Sequence, residues 1–308
     1  MTEKSITGSI RISDCDYPYS YQSETEKITV YVGSNAVTIP ENTDVIIGQK
    51  FGMLTGGKFL YKLSVPLSND CMIFEDGKSI YVSMANQTRS VEYSIEDYQE
   101  NSHYTKMSFQ FPELDYFIPS LGRAEVSDDK IVISRNQKTL CSFDFIYHGT
   151  KVTISFDIKI DKHSNVKTTV ETISEVVLIF PATDDMEFLC GLYDTVRCFF
   201  SFLCNRQNIG LRNAVLVGKY PTKKMDNGKI VDVDIYTSQK VYFSQKYLEP
   251  EEDKKQVANT PNIRLFLEKI PELFRMFSEE TDDSVATVNR NSIHHSIKYR
   301  NLIDLEQS

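Results

Sequence analysis

Through residue 180 the chain alternates apolar and polar positions with a period of two. Ile28, Val30 and Val32 follow this rule, as do Phe59, Tyr61, Leu63 and Val65, and then Met107, Phe109 and Phe111. The cleanest run is Val152, Ile154, Phe156, Ile158 and Ile160, with Thr, Ser, Asp and Lys between. That period puts one face of a strand in a core and the other in water, as antiparallel sheets do. Gly56-Gly57, Asp76-Gly77 and His148-Gly149 separate the runs and read as turns. About ten short strands at fairly even spacing predict a sandwich or a strongly curved sheet. The unbroken apolar run Val176 to Phe180 predicts a strand covered on both faces.

The period changes after Pro181. Leu189, Leu192, Tyr193, Val196, Phe199, Phe200 and Leu203 follow helical spacing and predict a helix over 185–204 that packs on the sheet. Asp184 reads as its N-cap, with Glu187 completing a capping box. Strands then return at Ala214 to Val217, at Val231, Val233 and Ile235, and at Val241 to Phe243. Asp226-Asn227-Gly228 reads as a hairpin turn, because Asn-Gly accepts positive φ. Glu249 to Lys255 reads as a charged loop. Thr260-Pro261 opens a second helical pattern running to Phe277, which Pro271 should kink or break. Ile293, Ile297, Leu302 and Leu305 predict a last helix ending at Ser308 without a cap, as if leading into a further helical domain. The expected fold is therefore α+β and mainly β, an antiparallel β-sandwich or curved sheet packed by one helix, followed by a short helical tail. The expected divisions are a β-rich domain over 1–180, a helix plus hairpin over 181–248 that completes or packs on the sheet, and a helical segment over 260–308.

Charge and cysteine usage narrow the function. The 308 residues carry 34 basic and 43 acidic side chains, a net charge of −9, so a nucleic-acid site would have to be a local basic patch. The six cysteines form no CxxC and no zinc-finger spacing with histidine, so neither a bound metal nor a cofactor is expected. The chain opens MTEKSITGS, without the apolar stretch of a signal peptide. The most apolar window, Phe188 to Cys204, is too short to span a bilayer. These readings place the protein in the cytoplasm, away from membranes, with reduced thiols.

Two segments carry candidate chemistry. Between Arg206 and Lys229 stand Arg206, Arg212, Lys219, Lys223, Lys224 and Lys229, against the single acid Asp226. Such a cluster can neutralise phosphates, and Tyr220 and Tyr236 can stack on unpaired bases. The plainer alternative is an edge strand whose lysines discourage pairing with other chains. The second segment, Arg290-Asn291-Ser292-Ile293-His294-His295, matches the R-polar-x-x-x-H pattern of HEPN ribonucleases. There Arg290 would stabilise a developing phosphorane and His295 would move a proton; a polar helix start explains the same residues. Glu113 and Asp115 form the most compact acidic pair, readable as a glycosidase-type pair or as two solvated acids. Tyr17, Tyr19 and Tyr21 share a face by alternation and would suit a carbohydrate or other small ligand if exposed; a solvated tyrosine-rich loop is the alternative. No Walker A, Rossmann glycine, GxSxG or HExxH motif occurs.

Several landmarks resemble the N-terminal region of ApeA-like HEPN proteins, a bacterial anti-phage group. They are Ile6-Thr7-Gly8-Ser9-Ile10, the segment Phe109-Gln110-Phe111-Pro112-Glu113-Leu114-Asp115-Tyr116-Phe117, the helix Glu187 to Leu203 followed by basic strands, and Tyr299 to Ser308. Tyr116 and Phe117 stand where that group often has tryptophan, and this chain has none. The resemblance implies a non-enzymatic sensing or regulatory module that binds nucleic acid or a phage-derived trigger and controls a HEPN ribonuclease domain in cis, beyond Ser308. Self-association into a homo-oligomer is left open. The rival readings are a nucleic-acid-processing enzyme using Arg290 and His295, and a ligand-binding β-sandwich.

Overall fold

The structure is a computed structural model. It describes residues 5–12, 15–32, 45–51, 57–75, 80–111, 114, 124–127, 130–133, 138–164, 168–203, 209, 212–226, 228–244 and 268–278. The chain forms two compact units, each assembled from separated stretches. Unit 1 takes residues 1–102 and 220–244, and unit 2 takes 103–219 and 245–308.

Unit 1 is built on a closed barrel of six antiparallel strands: β1 (Ser5–Ile12), β2 (Cys15–Gln22), β3 (Lys27–Tyr31), β4 (Val45–Lys50), β5 (Lys58–Glu75) and β6 (Ile80–Glu96). β2 lies between β1 and β3, β3 pairs with β6, β6 with β5, β5 with β4, and β4 returns to β1. The fold is mainly β, as the alternation predicts. The expected sandwich, however, is replaced here by a barrel. The strands β1 to β3 and β4 to β6 pair in chain order, and the β1–β4 and β3–β6 pairings supply the two contacts that close the ring; closure removes the edges that a sandwich leaves. The inward positions are those of period two: Ile10 and Ile12, Tyr19 and Tyr21, Ile28 and Val30, Phe59, Tyr61 and Leu63. Closure needs a close approach of β1 to β4. A Cβ on Gly8 would run into the Gln49 carbonyl, and one on Gly48 would sit 2.7 Å from the Tyr19 hydroxyl.

Tyr17, Tyr19 and Tyr21 do share a face, but it is the inner one. Tyr19 and Tyr21 are buried, and Tyr17 packs partly buried against the same cluster. The Tyr19 and Tyr61 hydroxyls are 3.2 Å apart, and their rings meet edge to face at 5.7 Å. Burial raises the pKa of both phenols. These tyrosines hold the barrel together and are not a surface for sugar.

Unit 2 contains an antiparallel sheet in the order β10 (Lys138–Tyr147), β11 (Thr150–Ser164), β12 (Thr168–Thr183), β7 (His103–Gln110) and the first half of β13 (Arg212–Asp226). A small hairpin joins β8 (Ala124–Ser127) to β9 (Lys130–Ile133). β12 lies between β11 and β7, and Val176, Val177 and Leu178 are buried as the apolar run predicts; Ile179 emerges, 49% exposed. Helix α1 (Met186–Leu203) buries Leu189, Leu192, Val196, Phe199 and Phe200. Its cap is Asp185 rather than Asp184. The Asp185 carboxylate accepts from the Glu187 and Phe188 amides at 2.9 and 3.1 Å, which leaves no place for the predicted capping box. Helix α2 (Ile270–Ser278) begins one residue before Pro271, so this proline sits in the first turn, where a missing amide costs nothing, and does not kink a longer helix. Phe274 of α2 is fully buried, with its ring 4.7 Å from those of both Phe145 and Phe199. The proposed start at Thr260 and the final helix lie outside the described residues.

Candidate recognition surface

In unit 1 a two-stranded ribbon is formed by the second half of β13, Tyr220 to Asp226, and by β14 (Lys229–Phe243). Its turn falls where Asn-Gly predicts it, and Gly228 carries a positive φ of 75°. Val241 to Phe243, read from the sequence as a separate strand, is the foot of β14.

The foot is firmly held. Val241, Tyr242 and Phe243 pair with Ile95, Ser94 and Tyr93 of β6. The Ser244 amide donates to the Glu92 carbonyl at 2.7 Å, and the Ser244 hydroxyl to the Glu26 carboxylate at 2.6 Å. Gln239 is fully buried, and its amide donates to the Ser102 and Thr237 hydroxyls, both at 3.3 Å. The Tyr242 hydroxyl donates to Glu96 at 3.2 Å; partial burial, together with the neighbouring Glu96 charge, pushes its pKa up to about 12.

Beyond Gln239 the ribbon leaves this support, and pairing of β14 with β6 is described for Val241 to Phe243 alone. From Pro221 to Asp226 and from Gly228 to Tyr236 every described residue is exposed except the half-buried Thr222 and Val233. Met225 is 73%, Ile230 69% and Tyr236 76% exposed. Val231 and Ile235 are exposed as well, on the face of β14 that Val241 and Phe243 bury lower down. Ile230 and Tyr236 lie on the opposite face.

The predicted basic residues divide accordingly. Lys223, Lys224 and Lys229 are exposed on the ribbon. Lys219 is exposed opposite His103 and belongs to unit 2. Arg212 stands on β13 opposite Gln110, where only its strand position is described. Arg206, Arg290 and His295 lie outside the described residues, as do Glu113 and Asp115, which follow the end of β7 at Gln110. The sequence reading missed Met225, Ile230, Asp232 and Asp234. Their signal was present: the two aspartates alternate with Val231, Val233 and Ile235 on a strand that already looked one-sided, so the face they share could not be simply basic.

Among the described residues, no group of three or more His, Cys, Asp or Glu comes together so as to hold a metal ion. No described helix is long and apolar enough to cross a membrane. Compared with known proteins, the chain matches no family model, no curated protein and no solved structure.

Proposed function

We propose that this chain is a non-enzymatic sensing or regulatory module whose contact element is the β13–β14 ribbon. One observation carries the reading. A foot anchored on β6 carries a ribbon that holds Met225, Ile230 and Tyr236 mostly in water. Large apolar side chains clustered on so small an element mark a place where something binds. The resemblance read from the residues supplies the setting: the front part of a bacterial ApeA-like HEPN anti-phage protein, acting in the cytoplasm on a nuclease domain in cis.

The test uses the full natural reading frame in cells challenged with phage. Replacing Met225, Ile230 and Tyr236 together by Ser should leave the fold intact, because none of the three is buried. Protection should fall to the level of an empty vector. Undiminished protection by the triple variant would refute the proposal.

A nucleic-acid ligand is the second reading, favoured by the exposure of Lys223, Lys224 and Lys229. Binding would then weaken steeply with salt, and Lys223→Glu with Lys224→Glu would weaken it further. The ribbon's own balance opposes this reading. Between Tyr220 and Tyr236 the three lysines meet three aspartates, Asp226, Asp232 and Asp234, so the element has no net charge with which to draw a polyanion.

A further inference from the structure

The arrangement of charge along the ribbon points to its partner, and we infer that it is a second copy of this chain. The inference rests on the ribbon being the contact element. Charges on the two arms are segregated. Between Tyr220 and Met225 the β13 arm holds Lys223 and Lys224 and no acid, and between Ile230 and Gln239 the β14 arm holds Asp232 and Asp234 and no base; only at the tip does each arm end in one opposite charge, Asp226 and Lys229. Lys223, Lys224, Asp232 and Asp234 are all exposed. A ribbon with one basic and one acidic arm is complementary to itself. When a two-fold axis relates two such ribbons, the basic arm of each faces the acidic arm of the other, and the same contacts are made twice.

The apolar residues fit the same partner. Val231 and Ile235 on one face, and Ile230 and Tyr236 on the other, offer side chains that bury well against protein. Asp232 and Asp234 fall by alternation on the face of Ile230 and Tyr236, which suits protein contact and penalises phosphate there. Pro221 removes one amide from the β13 arm, whereas β14 between Lys229 and Gln239 contains no proline. Pairing β14 edge to edge with its own copy would nevertheless set Asp232 and Asp234 against their equivalents, so the two-fold contact is face to face, with basic arm over acidic arm.

The test is a charge-reversal cycle on the purified full chain, read by sedimentation velocity from micromolar to sub-millimolar concentration. The wild type should show a concentration-dependent dimer. Lys223→Glu with Lys224→Glu should weaken dimerisation by about tenfold or more, and so should Asp232→Lys with Asp234→Lys. Combining all four changes should restore it, since the arms have only exchanged sign. Ile230→Ser with Tyr236→Ser gives a variant with no charge change, and it should also be monomeric with an unaltered circular dichroism spectrum. A wild type that stays monomeric throughout overturns the inference, as does a dimer indifferent to both reversals. Oligo(dT) titration separates the other partner. If Asp232→Lys with Asp234→Lys tightens oligo(dT) binding and the fourfold variant fails to dimerise, nucleic acid is the ligand, and the inference fails while the ribbon keeps its role as the contact element.

Discussion

The barrel and the ribbon are made of the same kind of strand. Both alternate apolar and polar positions, both are rich in Val, Ile and Tyr, and β14 contributes to each: its foot pairs with β6, and its far half runs out into the ribbon. In the barrel, Tyr61 is fully buried and its hydroxyl meets that of Tyr19 at 3.2 Å. In the ribbon, Tyr236 is 76% exposed. Alternation thus tells which side chains share a face. It does not tell whether anything covers that face, because cover comes from strands that are distant in sequence.

Tyr61→Ala probes the covered side and should have the largest effect. It empties a site in which the ring lies within 5.2 to 6.0 Å of those of Tyr19, Tyr21 and Phe59. Losing a large buried ring costs roughly 3–5 kcal/mol, and Tyr19 loses its hydroxyl partner besides. Urea unfolding would measure this. A loss under about 1 kcal/mol, the range of surface changes, would mean that the barrel interior is not the core it resembles.

The same contrast explains what could be read in advance. Local features were legible: the strands, the turn before Lys229, the helix ending at Leu203, and the inward set Ile28, Val30, Phe59, Tyr61 and Leu63. Closure was not, because it depends on β1 meeting β4 and β3 meeting β6 through residues that no local period marks. Gly8 and Gly48 are the visible traces of that meeting, and as isolated glycines they could equally have been turns. The cap was misplaced by one residue because Asp184 and Asp185 are adjacent and chemically identical; only geometry decides which carboxylate faces the helix amides. At the candidate site, the lysines were legible as a basic run with Asp226, while Asp232 and Asp234, which complete the balance, lay on the next strand.

Alkaline pH sharpens the contrast with a smaller effect. In the folded protein Tyr61 and Tyr242 hold their protons more tightly than a free phenol of pKa 10.0. A raised folded value means that their contribution to stability is complete below pH 10 and is lost as the pH rises through the folded value. For Tyr242 that window runs from 10.0 to about 12. Stability should therefore decline above pH 10, and Tyr242→Phe should make the decline across this window shallower. Urea midpoints taken below pH 10 and near pH 12 would check it; identical slopes for wild type and Tyr242→Phe would show that this phenol is not held as described.

The smallest expected effect is the most informative about the ribbon. Tyr236→Ser removes an aromatic ring, yet in an isolated copy of the chain that ring is three-quarters in solvent. A substitution at such a site changes stability by no more than about 0.5 kcal/mol. At low protein concentration the thermal midpoint should thus be unchanged. At high concentration the wild type gains whatever stability ribbon-to-ribbon association confers, by mass action, and the variant does not. The two melting curves should coincide when dilute and separate as concentration rises. A difference already present at high dilution would mean that Tyr236 is covered within the single chain, and the ribbon would then belong with the barrel, as part of its packing.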